Sequence, residues 1–286
     1  MPNAADLVIG ADQLRSPSRT IQEQRTGPGR SHPGRPRCHG GNVPSATARR
    51  WTGPSLRCAV MIVAFDADDT LWHNEDQFSE AHRAFASMLA EWAPADVVEA
   101  RLHEIEIANL DRYGYGAKSF MLSMTETAID LSGGAVPGTV VADILALGHE
   151  ILDRPIELLA DVTEVLPALA HHTLMLITKG DLYAQHARIA ESGLADHFWR
   201  IEVVAEKDVA TYARVLDHHR VDVDQFVMVG NSLRSDVLPV IELGGRGVHV
   251  PYAITWAHEA DHDDHDHDIP RLERLGELPA LLERWT

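Results

Sequence analysis

Cysteine is almost missing from this chain of 286 residues: Cys38 and Cys58 are the two, and both precede the first strand-like segment. Everything after them is therefore without a disulfide framework, a cysteine nucleophile or a thiolate metal site. Long apolar runs are missing as well. No segment approaches the roughly 18 apolar residues that a membrane helix needs, so a soluble, cytoplasmic protein without a membrane partner is expected. The chain does not open on a basic stretch followed by an apolar one, so no secretory signal is expected. Positive charge is scarce, with 25 Lys and Arg against 43 Asp and Glu and a net charge of -18. So acidic a body argues against nucleic acid as the main partner, because phosphate backbones need a basic face. It still admits a small phosphorylated metabolite, since the local field at a site matters more than net charge.

The basic residues are unevenly spread. Residues 1–60 hold nine Arg, no Lys and only Asp6, Asp12 and Glu23 as acids. Residues 16–53 are rich in Pro, Gly, Ser and Arg and show no hydrophobic period, so too little apolar surface is available to offset ordering entropy. Residues 1–59 are accordingly read as a disordered basic extension. Its composition is similar to an organellar transit peptide, but the frequent Pro and Gly spoil an amphipathic helix. A basic arm touching nucleic acid is a second reading. Translation from Met61, immediately before the first strand, is a third and is preferred. The remainder, with 45% hydrophobic residues overall, is enough for one large or two modest domains.

What the chain does have is a set of apolar runs that end in polar groups suited to a phosphate and a divalent cation. Val63-Ala64-Phe65 leads into Asp66-Ala67-Asp68-Asp69-Thr70, and Leu174-Met175-Leu176-Ile177 leads into Thr178. Ile201 to Glu206 precedes Lys207, and Phe226-Val227-Met228-Val229 precedes Gly230-Asn231-Ser232-Leu233-Arg234-Ser235-Asp236. From Pro155 onward strands alternate with helices, which indicates an α/β fold with a doubly wound parallel sheet covered on both faces. In such sheets ligands sit outside the carboxyl ends of the strands, so these polar ends are expected in one crevice. Between the first and second runs the period changes to helical. Phe78, Ala81, Phe85, Met88 and Trp92 form one stripe, Val98, Leu102 and Ile105 a second, Phe120, Met124, Ala128 and Leu131 a third, and Val140, Ile144, Leu147 and Ile151 a fourth. These stripes read as packing surfaces.

The order and spacing of the four motifs resemble the haloacid dehalogenase superfamily, in its phosphatase branch, from Met61 to the C-terminus. The resemblance implies a Rossmann-like core from residues 60–77 and 153–286, with a small helical cap at residues 78–152. It implies Mg2+-dependent hydrolysis of a small phosphate monoester through an aspartyl-phosphate on Asp66. Asp68 would act as general acid for the leaving alcohol and then as base for water. Thr178 would donate to a phosphoryl oxygen, and Lys207 would neutralise charge as a compact ammonium. The Mg2+ oxygens would come from Asp66, the Asp68 carbonyl, and Asn231 or Asp236. Alone, Thr178 reads as a turn hydroxyl and Lys207 as a surface lysine; their order behind Asp66 and Asp68 gives them the other reading.

Two positions depart from the family pattern. Asn231 stands where many relatives have Asp, which weakens attraction for a cation and leaves open whether Asp236 binds it directly or through water. Asp69 stands where many have Gly, either as a second layer to the site or as a cap for the following turn. Ser232 reads equally as a site hydrogen-bonding group and as a helix N-cap. A metal-free dehalogenase lacks the second Asp of the first motif, so Asp68 and Thr70 favour phosphoryl chemistry. Phosphomutase activity and a non-catalytic phosphate-binding module also fit the fold, and retention of a nucleophile disfavours the module.

Substrate specificity is expected from Trp72 and His73, close after the nucleophile, and from the turn Arg112 to Lys118. There Tyr113, Tyr115 and Lys118 either dip toward the site or decorate a surface turn. The His/Asp tract 258–268 reads as a solvated loop rather than a metal site. Residues 251–259 read as packing.

Overall fold

The computed structural model describes residues 61–254, Trp256, His258 and residues 268–285. The basic extension and most of the His/Asp tract lie outside the described residues.

Five strands form one sheet: β1 (Ile62–Phe65), β2 (Thr173–Lys179), β3 (Arg200–Val204), β4 (Phe226–Gly230) and β5 (Arg246–His249). Their order is β3-β2-β1-β4-β5, and every neighbouring pair is parallel. Central β1 pairs Phe65 with Leu176 of β2 and Val229 of β4. The chain winds outward from β1 through β2 to β3, then returns to the other side of β1. The order reverses there, which opens a crevice beyond the carboxyl ends of β1, β2 and β4.

Helices cover both faces of the sheet, so its inner strands read as continuous apolar runs rather than alternating ones. Phe65, Leu176 and Val229 pack on one side against Val162 and Leu166 of α5 (Val162–Ala168), Ile189 of α6 (Leu182–Ser192) and a C-terminal helix at Leu278–Glu283. Ala64, Met175, Ile177 and Met228 pack on the other against Tyr212 and Leu216 of α7 (Val209–His219) and Val240 of α8 (Leu238–Leu243).

Between β1 and β2 run α1 (Glu75–Met88), α2 (Ala95–Tyr113), α3 (Ala117–Leu131) and α4 (Gly138–Asp153). They bury a core of their own, including Phe85, Leu102, Phe120, Met124 and Ile144, separate from the two clusters on the sheet. Gly114 and Gly116, with φ of 69° and 99°, give the α2–α3 turn a left-handed course that an L side chain rarely adopts.

The segment expected as a single helix from Leu233 to Leu243 starts with a wide π turn at Leu233–Val237 before becoming α-helical. Pro239 has no N–H to give the Ser235 carbonyl, and the Tyr212 hydroxyl donates to that oxygen instead at 3.0 Å. The last strand, expected at Val248–Val250, runs from Arg246 to His249. Among the described residues no helix is long and apolar enough to cross a membrane.

Candidate active site

A buried ionic triad stands at the carboxyl end of the sheet. Lys207, from the loop after β3, donates its Nζ protons to Asp66 and, at 2.7 Å, to Asp236 Oδ1. Asp236 is 1% exposed, and its Oδ2 accepts from the Ser232 N–H at 3.0 Å. The carboxylate comes this close to β4 because Gly230 has no side chain: a Cβ there would lie 2.2 Å from Asp236 Oδ2. Thr70 Oγ1 lies 3.1 Å from Asp66 Oδ2 and accepts from the Asn231 N–H at 3.1 Å, which ties the ends of β1 and β4 together.

Burial pushes the Asp66 carboxyl up to about 7 against the opposing pull of Lys207; Asp236 and Asp68 add to the upward push. Burial alone would favour neutral Lys207, but Asp236 and Asp66 outweigh it and hold the ammonium charged, above the ordinary lysine range.

Asp68 stands outside this triad and is held from three directions. Trp72 Nε1 donates to Oδ1 at 2.7 Å, Gln185 Nε2 to Oδ2 at 2.6 Å, and Arg188 lies 3.5 Å from Oδ1. Gln185 also donates to the Lys179 carbonyl at 2.9 Å and lies 3.2 Å from Thr178 Oγ1, so it joins the first motif to the second. Sequence reasoning missed Gln185 and Arg188. Their signal was available: both fall on the first turns of a helix entered directly from a site strand, three residues apart and so on one face.

A cavity of about 530 Å³ opens over these groups and is lined by Asp66, Asp68, Thr178, Lys207, Asn231 and Asp236. Tyr115 and Lys118 line it too. Tyr115 donates to Glu206 at 2.5 Å and faces the edge of Trp256, while Lys118 bonds Asp181 at 2.8 Å. Lys179 Nζ donates to Ser235 Oγ at 2.8 Å and lies 4.3 Å from the Tyr115 ring centroid.

The remaining specificity candidates lie elsewhere. Trp72 is fully buried in the core and reaches the site only by holding Asp68. His73 turns to Tyr252, 2.5 Å from its hydroxyl, at a separate small surface pocket. Tyr113 donates to Glu126 of α3 at 3.2 Å. Trp256, expected as packing, lines the cavity. Ser232 proves an N-cap, accepting from the Ser235 N–H at 3.1 Å. Asp69, at φ 62°, also caps: its carboxylate accepts from the N–H groups of Asn74 and Glu75 at the start of α1. Among the described residues no cluster of three or more His, Cys, Asp or Glu is placed to hold a metal ion.

A family model for haloacid dehalogenase-like hydrolases matches residues 60–244. The chain belongs to the haloacid dehalogenase-like hydrolases. A hydrolase of this family from Xanthomonas campestris is 40% identical, with a TM-score of 0.70 over 79% of this chain and 91% of that one. More distant structures share the fold. An L-2-haloacid dehalogenase from Xanthobacter autotrophicus is 16% identical, with a TM-score of 0.56 over 79% of this chain and all of that one. A predicted phosphoglycolate phosphatase from Haemophilus somnus is 15% identical, with a TM-score of 0.51 over 78% and 97%. No curated protein matches the chain.

Proposed function

We propose that this haloacid dehalogenase-like hydrolase cleaves small phosphate monoesters. Asp66 attacks phosphorus and forms an aspartyl-phosphate, which water then hydrolyses. The observation that carries the reading is Asp68: a second carboxylate beside the buried nucleophile, facing the cavity and fixed by Trp72 and Gln185. A halide leaving group needs no proton, whereas an alkoxide does, and Asp68 supplies it before taking one from the attacking water. Lys207 and Thr178 offset the charge on the phosphoryl oxygens, and the α1–α4 insertion acts as the cap that closes over the leaving group and excludes water.

The donors at the strand ends are carboxylate, amide and carbonyl oxygens, which suits Mg2+, a cation commonly held by one or two carboxylates together with waters. Asp66 would hold it through its carboxylate and Asp68 through its carbonyl. Asn231 or Asp236 would complete the protein donors; Asp236 also accepts from Lys207 and Ser232, and Asn231 Oδ1 lies 3.3 Å from Thr70 Oγ1. Bound there, Mg2+ would supply positive charge to the phosphoryl oxygens.

The test is p-nitrophenyl phosphate hydrolysis with Mg2+, with EDTA, and in Asp66→Asn, beside halide release from a 2-haloacid. Metal-dependent turnover lost in the variant is the expected result. Halide release without phosphate release would overturn the reading in favour of dehalogenation.

A further inference from the structure

The catalytic groups take up only one end of the cavity. Its volume of about 530 Å³ falls in the range of sites that enclose a whole small molecule, and a phosphoryl group fills a small part of it. The rest of the lining is rich in rings drawn from separate parts of the chain: Phe78 and His82 on α1, Tyr115 and Phe120 at the α2–α3 turn and on α3, and Trp256 beyond β5. Phe78 meets Phe120 edge to face with ring centroids 5.3 Å apart, and His82 stacks on Phe120 at 4.9 Å. Burial lowers His82 to about 4, so it stands there as an uncharged ring. Tyr115 meets Trp256 edge to face at 6.2 Å.

These rings are not simply core. Trp72, Phe85 and Phe226 are fully buried, whereas Phe78, Tyr115 and Trp256 are each half-buried where they line the cavity. Ile254, also on the lining, is 38% exposed. Trp256 belongs to none of the apolar clusters formed by the described residues. Its segment is nevertheless anchored, because Arg234 donates to the His258 carbonyl at 2.7 Å, and its ring faces His103 of α2 at 6.4 Å. Apolar surface left open in a concavity gains free energy when an apolar group covers it.

Charge narrows the ligand further. Each Lys or Arg of the lining has a carboxylate partner: Lys207 with Asp66 and Asp236, Arg188 with Asp68, Lys118 with Asp181, and Lys179 with Glu206. A second anionic group on the substrate would have to displace one of those partners. Glu75 and Glu106 also line the cavity, and burial pushes both up to about 8, so they are largely uncharged acids at neutral pH. This end of the cavity therefore calls for a charge of neither sign.

We propose that Phe78, Tyr115 and Trp256 form a subsite for an uncharged aromatic ring on the leaving alcohol, so that the substrates are phosphate monoesters of aryl-substituted alcohols. The inference rests on the phosphatase reading for where the ester bond lies. The phosphoryl group occupies the Asp66–Lys207 end, the ester oxygen faces Asp68, and the ring reaches the apolar lining. An aromatic guest suits that lining better than an aliphatic one, because ring edges and faces attract through their quadrupoles in addition to burial. A sugar would set hydroxyls against the rings and gain neither contribution.

The experiment compares kcat/KM for 2-phenylethyl and 3-phenylpropyl phosphates with the cyclohexylalkyl and hydroxyalkyl phosphates of the same linker lengths. These leaving alcohols are of similar acidity, so binding and not bond reactivity decides the order. In the wild-type protein the phenyl esters are expected to be favoured over the hydroxyalkyl esters about tenfold or more at the better length, equivalent to about 1.4 kcal/mol. They are expected to exceed the cyclohexyl esters about threefold. In Trp256→Ala and in Phe78→Leu, which keeps an apolar side chain but removes the ring, both ratios are expected to fall toward one, with thermal melts confirming folding. A wild-type ratio near one to the hydroxyalkyl esters at both lengths, parity with the cyclohexyl esters, or ratios unchanged in both variants would overturn the proposal. If no phosphate ester is hydrolysed, p-nitrophenyl phosphate included, the phosphatase reading fails by itself. Calorimetry of 2-phenylethanol and 3-phenylpropanol then decides the subsite: binding lost in Trp256→Ala supports it, and no binding to the wild type refutes it.

Discussion

Tyr115, on the turn between α2 and α3, donates its hydroxyl to Glu206 on the loop after β3 at 2.5 Å. Three residues on, Lys118 reaches Asp181 ahead of α6 at 2.8 Å. These bonds join the helical insertion to the sheet at the cavity's edge. Both are partly exposed, so each contributes about 0.2–1 kcal/mol to stability, and their larger effect falls on how the turn sits over the cavity. Tyr115→Phe with Lys118→Ala is expected to raise KM for p-nitrophenyl phosphate about threefold to tenfold while moving the urea midpoint little. Steady-state kinetics beside urea denaturation check it.

Lys207 balances two buried carboxylates. Lys207→Met leaves Asp66 and Asp236 facing each other without a cation, and removal of one partner from a buried ionic group costs about 3–5 kcal/mol. Urea denaturation at neutral pH is expected to show a loss of that size, together with loss of activity. Lys207→Arg is not expected to restore activity, because a planar guanidinium does not fit a site shaped for a compact ammonium.

Gly230 is a matter of space alone. In Gly230→Ala the added methyl meets Asp236 Oδ2 at 2.2 Å, so the carboxylate must move away from Lys207 or β4 must shift. A destabilisation of about 1–3 kcal/mol is expected, with kcat falling alongside. Wild-type stability with full activity would show that Asp236 moves freely.

Trp72→Phe keeps the buried ring but removes the N–H that holds Asp68 Oδ1. About a tenfold loss in kcat, or about 1.4 kcal/mol, is expected with KM little changed, since the lost contact orients the general acid and not the substrate. A KM effect alone would count against that positioning role.

Two largely buried glutamates of the cavity wall, Glu75 on α1 and Glu106 on α2, make stability depend on pH. Folding raises Glu75 and Glu106 from 4.5 to about 8, so the folded chain holds protons that the unfolded chain has released. Their stabilising contribution is complete below pH 4.5 and is lost as the pH rises to 8, at about 1.4 kcal/mol per pH unit for each group. Glu106→Gln has no such proton to lose. Its stability relative to wild type is expected to rise across that window, as urea denaturation at the two ends would show.

Much of the sheet was legible because apolar runs such as Leu174–Ile177 and Phe226–Val229 have no reading compatible with solvent on either face. Their polar ends, Thr178 and Asn231, then fall at one edge because parallel strands all finish on the same side. Trp72 was misread for a local reason: it follows the nucleophile closely in sequence, but the turn at Ala67–Leu71 sends its side chain into the core. The break at Leu233–Val237 was missed because hydrophobic spacing does not register that Pro239 has no N–H to offer the Ser235 carbonyl.

The class of fold, the helical insertion's apolar stripes and the residues at the strand ends follow from the order of amino acids. These depend on period, chain direction and residue type, all of which are local. Folding in three dimensions brings Gln185 and Arg188 onto Asp68, Asp236 onto Lys207 and Ser232, and Trp256 into the cavity wall. It alone placed Glu75 and Glu106 on the wall of one cavity with no Lys or Arg partner among the described residues. Apart from the local Asp236–Ser232 contact, such pairings join positions tens to more than a hundred residues apart, and their energies come from burial and distance, which exist only once the chain has folded.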